Sequence, residues 1–285
     1  MLRSSLRQFI RTAPSATTRN TIVDYSDIES LKKVLNDNLV DTVISTLFVT
    51  ESAPQVNLIH AAEASPYTKR FIPSIWGIPY SRAQVGERKM QIGQAKLEAI
   101  DALENTSLEY TSFYVGYFLD YWGHPRVKTH QLQFVIAVDM EHSRAAIPGK
   151  GDTPVTFTHT FDVAEYVAAS LDLPKWGKES YIIGESVTWN EFVRIAEEVK
   201  GEKFKVTHDE LDLLLSGKIT ELPSHPAMYG VMPKDQLQAL GATFGVWSEE
   251  GLYHLQPSET LNQVFPEIKA RTVREVLYAG WHQGN

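Results

Sequence analysis

No cysteine occurs in the 285 residues, which excludes disulfides, thiolate nucleophiles and cysteine metal sites. No apolar run approaches the ~20 residues that a membrane span needs, so no membrane partner is expected. Basic residues are in the minority, with 27 Lys and Arg against 35 Asp and Glu and a formal net charge of −8. That balance argues against a nucleic-acid surface, because phosphate contacts need concentrated Lys and Arg. Glycine is missing from the start of the chain, and Gly77 is the first. Also absent are H-E-x-x-H, G-x-S-x-G and P-loop signatures, which removes the zinc protease, serine hydrolase and NTPase readings and leaves no metal site expected.

What is present has the composition of a globular enzyme, 43% hydrophobic and 22% charged, enough to bury a sizeable core. Residues 1–20 form a basic arm with four arginines and no acid. Its Leu2, Leu6, Phe9 and Ile10 fall at helical spacing, so it reads either as a mitochondrial transit peptide or as a ragged chain start. A cytoplasmic location is expected, with mitochondrial targeting as the alternative. Beyond the arm, strands and helices alternate, the α/β pattern. "NTIVDY" reads as a strand, Ser26 and Glu29 as a capping box, and Ile28, Leu31 and Leu35 as a buried stripe. "VDTVISTL" is a covered strand, Pro54 suits the first turn of a helix, "KRFIPS" is a strand and residues 86–104 a long helix. "SLEYTSFYV" reads as another strand, residues 117–150 as loops. "FDVAEYVAASLDLP" predicts a helix, "SYIIG" a strand and "SVTWNEFVRIAEEVKG" a capped helix closed by Gly201.

Ile92, Lys96, Ile100 and Leu103 share one face of the 86–104 helix, and that face is apolar. A lysine there either snorkels to water or has its pKa lowered by desolvation, the setting of a cofactor-contacting or proton-relaying amine. Ile92 stands four residues before Lys96, and no tyrosine in the chain has a lysine four residues later. The tyrosine-driven hydride mechanism of ordinary short-chain dehydrogenases is therefore disfavoured. Ser45, Thr46 and Ser74 end two strands with small polar side chains, as at the carboxyl edge of an open α/β sheet where ligands bind; simple strand termination is the other reading. Asp24 either contacts an adenosine or caps a turn. His124, His159 and His225 show no partner and read as structural or exposed. The aromatics of "FYVGYFLDYW" line either a pocket or the core.

Together "KRFIPSIWG", "QAKLEAIDALENTSLEYT", "VGYFLDY", "HTFDVAEYVAASLDLP", "SYIIGESVTWNEFVRIAEEVKGEKF" and "FPEIKARTVREVL" resemble the fungal NmrA-like, isoflavone-reductase-like proteins, atypical short-chain dehydrogenase relatives. The resemblance implies an α/β fold with a Rossmann-like doubly wound parallel sheet over residues 21–185 and a smaller C-terminal substrate lobe over 186–285. It implies NADP(H) as cofactor and a small, partly aromatic secondary metabolite as the substrate of a reductase; other members bind the dinucleotide as non-catalytic regulators. Carried over by position, Lys96 matches the lysine at the nicotinamide ribose that supports proton transfer. Ser45, Thr46 and Leu47 match a cofactor loop, and Tyr114, Val115, Gly116 and Tyr117 the segment beside the nicotinamide. Arg11 matches the arginine on the adenosine 2′-phosphate. Two departures stand out: Ile75 replaces a usual acid, and the first strand with its glycine-rich turn is expected to be missing.

Overall fold

The computed structural model describes residues 20–47, 51–88 and 91–282, so Arg11 and the rest of the basic arm lie outside the described residues. The chain packs as two units: one holds residues up to Phe113 together with Leu173–Ser180, the other Tyr114–Asp172 and Tyr181–Asn285. They follow a different course from a division at residue 185, because the chain returns to the first unit for eight residues before finishing the second.

In the first unit, helix α1 (Ile28–Asp37) buries Leu31 and Leu35, as their spacing predicts. Its N-cap is Asp27, whose carboxylate accepts from Ser30 N at 2.9 Å. This corrects the expectation of Ser26. The Ser26 hydroxyl is already used one turn earlier, donating to Asp24 Oδ1 at 2.7 Å beside its own N–H at 2.8 Å. Strand β1 (Thr42–Ile44), helix α2 (Ala53–Glu63) with Pro54 in its first turn, and strand β2 (Arg70–Ile72) follow. Helices α3 (Arg82–Arg88) and α4 (Gln91–Glu104) lead to strand β3 (Glu109–Tyr110). The strands form a parallel sheet ordered β1-β2-β3, with Val43 beside Phe71 and Phe71 beside Tyr110. Onto it pack Leu31 and Leu35, Leu58 and Ile59 of α2, and Ala99 and Leu103 of α4. Each large apolar side chain so buried stabilises the fold by ~1.5–3 kcal/mol. "NTIVDY" forms no strand. Val23 and Tyr25 still pack inward and Ile22 is exposed, but the Asp24–Ser26 turn ends the extended run.

The return segment closes the far side of this sheet. Arg70 Nε donates to Glu109 Oε2 at 2.7 Å, and its Nη2 reaches Leu173 O at 2.9 Å and Pro174 O at 3.2 Å. The Trp176 ring lies 4.6 Å from the guanidinium carbon, a cation–π contact, while Trp176 N donates to Glu109 Oε1 at 2.6 Å.

Strand β4 (Ser112–Tyr114) carries the chain into the second unit, where the segment expected as loops holds strand β5 (Tyr117–Phe118), helix α5 (Asp120–Gly123), strand β6 (Val138–Asp139) and strand β7 (Arg144–Pro148). Elements of two to five residues are too short to show a period in the sequence. Strand β8 (Pro154–Thr158), helix α6 (Thr160–Ser170), strand β9 (Glu179–Tyr181), strand β10 (Glu185–Thr188) and helix α7 (Trp189–Lys200) come next. Thr188 caps α7 through a complete capping box with Glu191, and Gly201 ends it at φ 70°. Strand β11 (Lys205–Asp209) precedes helices α8 (Leu211–Leu215), α9 (His225–Met228), α10 (Lys234–Glu249), α11 (Leu261–Val264) and α12 (Val273–Trp281). Two small sheets, β10-β8-β5 and β11-β7-β6, share the unit. An aromatic core of Trp122, Phe157, Trp189 and Phe192, with ring centroids 5.2–5.7 Å apart, holds it together. Among the described residues no helix is long and apolar enough to cross a membrane.

Candidate active site

The carboxyl ends of β1 and β2 carry the chemistry of the first unit. The parallel ladder continues one residue past β1, with Ser45 N donating to Ile72 O at 2.8 Å. The Ser45 carbonyl accepts from Trp76 Nε1 at 2.9 Å, and the Leu47 carbonyl from Ser74 Oγ at 2.8 Å. Ser74 N in turn donates to Gln55 Oε1 at 2.6 Å, where α2 begins. Thr46 is held between two anchored neighbours with its own side chain exposed. Ser45 Oγ is buried and has no hydrogen-bond partner among the described residues, a costly state for a hydroxyl unless a ligand group meets it.

Lys96 approaches the same turn from α4. Its Nζ donates to Ile75 O at 2.6 Å and lies 5.2 Å from the centre of the Tyr80 ring. Burial pushes the Lys96 ammonium down to about 8. Among the described residues no charged side chain contributes to that shift, and Ile75, standing where an acid was expected, is fully buried and supplies only its carbonyl. The amine is thus half-buried, aimed at a strand end and able to exchange a proton near neutral pH. Gln55, Trp76 and Tyr80 belong to this constellation and were not singled out by spacing. Trp76, which stacks on Phe113 at 5.4 Å and 21°, is legible only as the aromatic inside "FIPSIWG". Asp24 is exposed and occupied by Ser26, whose hydrogen bonds hold its carboxyl below the usual range.

In the second unit the Tyr114–Tyr117 segment is threaded tightly. Tyr114 O accepts from Ile182 N at 3.0 Å, and Val115 O from Thr158 Oγ1 at 2.8 Å. Gly116 sits at φ +70°, and a Cβ there would lie 2.1 Å from Thr156 O, so only glycine permits this approach. Tyr117 stacks on Tyr253 at 3.9 Å, and burial raises its hydroxyl well above the ordinary tyrosine value. It therefore stays protonated, and its ring lines an apolar pocket with Phe134, Ile136, Leu214, His225 and Leu237.

Two polar clusters resemble catalytic groups and differ from them in geometry. Ser224 Oγ lies 3.1 Å from His142 Nδ1, and Asp139 Oδ1 and Oδ2 lie 3.2 Å from that same nitrogen. A serine relay needs the base to use its two nitrogens separately, so this is a buried carboxylate cluster, not a triad. His159 caps α6, its Nδ1 accepting from Phe161 N at 3.2 Å and its Nε2 lying 3.7 Å from Asp120 Oδ1. Asp120 is filled by Thr129, Thr160 Oγ1 and Thr160 N, so the group fastens α5 to α6. Among the described residues no three His, Asp or Glu side chains are placed to hold a metal.

Residues 21–277 match the NmrA-like family. Oxidoreductase BOA1 of Botryotinia fuckeliana is 34% identical over 266 residues, covering 90% of this chain and 84% of that protein. Oxidoreductase swnN of Metarhizium robertsii is 29% identical over 284 residues, covering 91% and 83%. The binary complex of leucoanthocyanidin reductase with NADPH from Vitis vinifera superposes with a TM-score of 0.67 at 17% identity, covering 89% of this chain and 82% of that one. At that identity the likeness is one of fold, α/β and Rossmann-like. The match over residues 21–277 and the 34% identity to a fungal oxidoreductase along nine-tenths of the chain agree: this chain belongs to the NmrA-like family.

Proposed function

We propose that this chain is an NADPH-dependent reductase of a small, partly aromatic secondary metabolite, with Lys96 as the residue that handles the proton. The observation that carries this is the Lys96 amine, buried enough to titrate near neutral pH and held by Ile75 O at the strand ends. The likeness to fungal oxidoreductases and to the grapevine reductase that binds NADPH supports it. The residues fit such a cofactor: Ser45 Oγ is a buried hydroxyl with no partner among the described residues, at the carboxyl end of a parallel strand, where a ribose hydroxyl or phosphate would satisfy it.

On this reading Ser45, Thr46 and Leu47 hold the dinucleotide, Lys96 contacts the nicotinamide ribose, and the Tyr114–Tyr117 segment borders the nicotinamide. Asp24 borders the adenosine, and Arg11 pairs bidentately with the 2′-phosphate. When bound, the cofactor supplies a hydride. The protonated Nζ of Lys96 then delivers a proton to the oxygen or carbon where negative charge develops, and Ile75 O orients that N–H. The second reading is a dinucleotide-responsive regulator without turnover.

NADPH titration followed by intrinsic fluorescence, and NADPH consumption with a panel of small aromatic carbonyl and ether substrates, separate the two. The enzyme reading expects binding and turnover, with Lys96→Ala folded but slower by ~10²–10⁴-fold. Unchanged turnover in that variant would remove the role given to Lys96, and binding without turnover on any substrate would leave the regulator. Arg11→Ala should erase a preference for NADPH over NADH. Equal affinities in the unmodified chain would overturn that pairing.

A further inference from the structure

We propose that the turn Ser74-Ile75-Trp76 is a positioning clamp that fixes the Ser45–Leu47 loop and the Lys96 amine as one unit. Three consecutive residues make three anchors. Ser74 Oγ holds the Leu47 carbonyl at 2.8 Å, Ile75 O holds Lys96 Nζ at 2.6 Å, and Trp76 Nε1 holds the Ser45 carbonyl at 2.9 Å. The clamp is itself rigid. Ser74 N is tied to the buried Gln55, Ile75 is fully buried, and the Trp76 ring is stacked on the fully buried Phe113.

The arrangement is economical in what it leaves free. The anchors use the loop's carbonyls, so Ser45 Oγ and the exposed Thr46 side chain remain for a ligand. A shift of the turn moves both the loop that would receive a dinucleotide and the carbonyl that orients the amine. Among the described residues Tyr80 is the titratable group facing Lys96 and no charged side chain perturbs the amine, which therefore reads the fit of this turn through its burial. The dinucleotide half of the inference rests on the function proposed above. Trp76 and Ser74 are positioning residues in it, since they act through the loop.

Two variants isolate the anchors. Trp76→Phe keeps an aromatic ring for Phe113 and removes the N–H donor, and Ser74→Ala removes the second anchor. The readouts are NADP⁺ affinity by calorimetry and the pH dependence of Lys96 acetylation, followed by mass spectrometry of its peptide, which needs no substrate. Either variant should weaken NADP⁺ binding on the order of two- to tenfold, the worth of one lost hydrogen bond. Each should also move the Lys96 titration upward, toward that of an ordinary lysine, as water reaches the amine. Phe113→Leu, which loosens the core beneath the ring but spares the N–H, should lower the unfolding midpoint with a smaller effect on both readouts. A Trp76→Phe protein that loses only thermal stability, or in which only one readout moves, overturns the clamp. If the unmodified chain fails to bind NADP⁺, the dinucleotide reading falls by itself. The Lys96 titration then decides the clamp, which is overturned if the titration stays put in both variants.

Discussion

Lys96 is a base whose folded-state pKa, about 8, lies below its ordinary value of 10.5. Between those values the unfolded chain binds more protons than the folded one, so stability rises with pH across that window. Below about 8 the amine is charged in both the folded and the unfolded chain, and the folded chain bears the full cost of burying that charge. Above 10.5 the difference is gone. Urea unfolding of the wild type and of Lys96→Met on either side of the window should show the wild type gaining on the variant as pH rises. A constant gap would mean that the amine is solvated. On the reductase reading proposed above, a step that uses the protonated amine declines roughly tenfold per pH unit above about 8. A rate that holds to pH 10 would exclude Lys96 as the donor. This residue was legible in the sequence because Ile92, Ile100 and Leu103 share its helical face. The contributions of Trp76 and Gln55 were not legible. A hydrogen bond from a turn side chain to a distant carbonyl leaves no period and no spacing to read.

Local signals held where a whole element repeats them. The Thr188 cap, the Glu191 return bond and Gly201 bound α7 where the sequence puts them, because each end has its own chemistry. Thr188→Ala should cost ~1 kcal/mol, read as a lower urea midpoint with an unchanged slope. The start of α1 shows how such a signal misleads. Ser26 and Asp27 both cap well, and the choice fell to Asp27 once Asp24 had captured the serine. Strands β5, β6 and β7 were hidden for a different reason, since β5 and β7 gain their identity from partners far along the chain and the two residues of β6 only from pairing with β7. Gly116 is where that pairing is tightest. Gly116→Ala places a methyl on the Thr156 carbonyl and strains a left-handed backbone, so a loss of roughly 2–4 kcal/mol is expected. Wild-type stability in this variant would show that β5 can move off β8 at little cost.

At the scale of the molecule, the alternation of strands and helices was enough to indicate an α/β fold, while the division into units was not. A unit boundary is a property of packing, and here the chain crosses it at Phe113, at Asp172 and again at Ser180. Chain length and composition carry no trace of such crossings. A polypeptide ending at Phe113 contains all three strands of the parallel sheet but lacks the segment that receives Arg70. It should be open to protease and show a non-cooperative thermal transition. A sharp, protease-resistant transition would show that the return segment is dispensable.

The return of Leu173–Ser180 also has a consequence in time. A ribosome delivers the chain from its N-terminus, at roughly 5–20 residues per second, and domains ordinarily close as they emerge. Here Arg70 is made early and must wait with its guanidinium in water until Trp176 and the carbonyls of Leu173 and Pro174 arrive. During that interval much of the second unit's aromatic core, Trp122 and Phe157 included, leaves the exit tunnel, while Trp189 and Phe192 have yet to emerge from it. Both halves of the nascent protein are therefore incomplete together for several seconds, and that interval is when chaperone capture matters most to its yield.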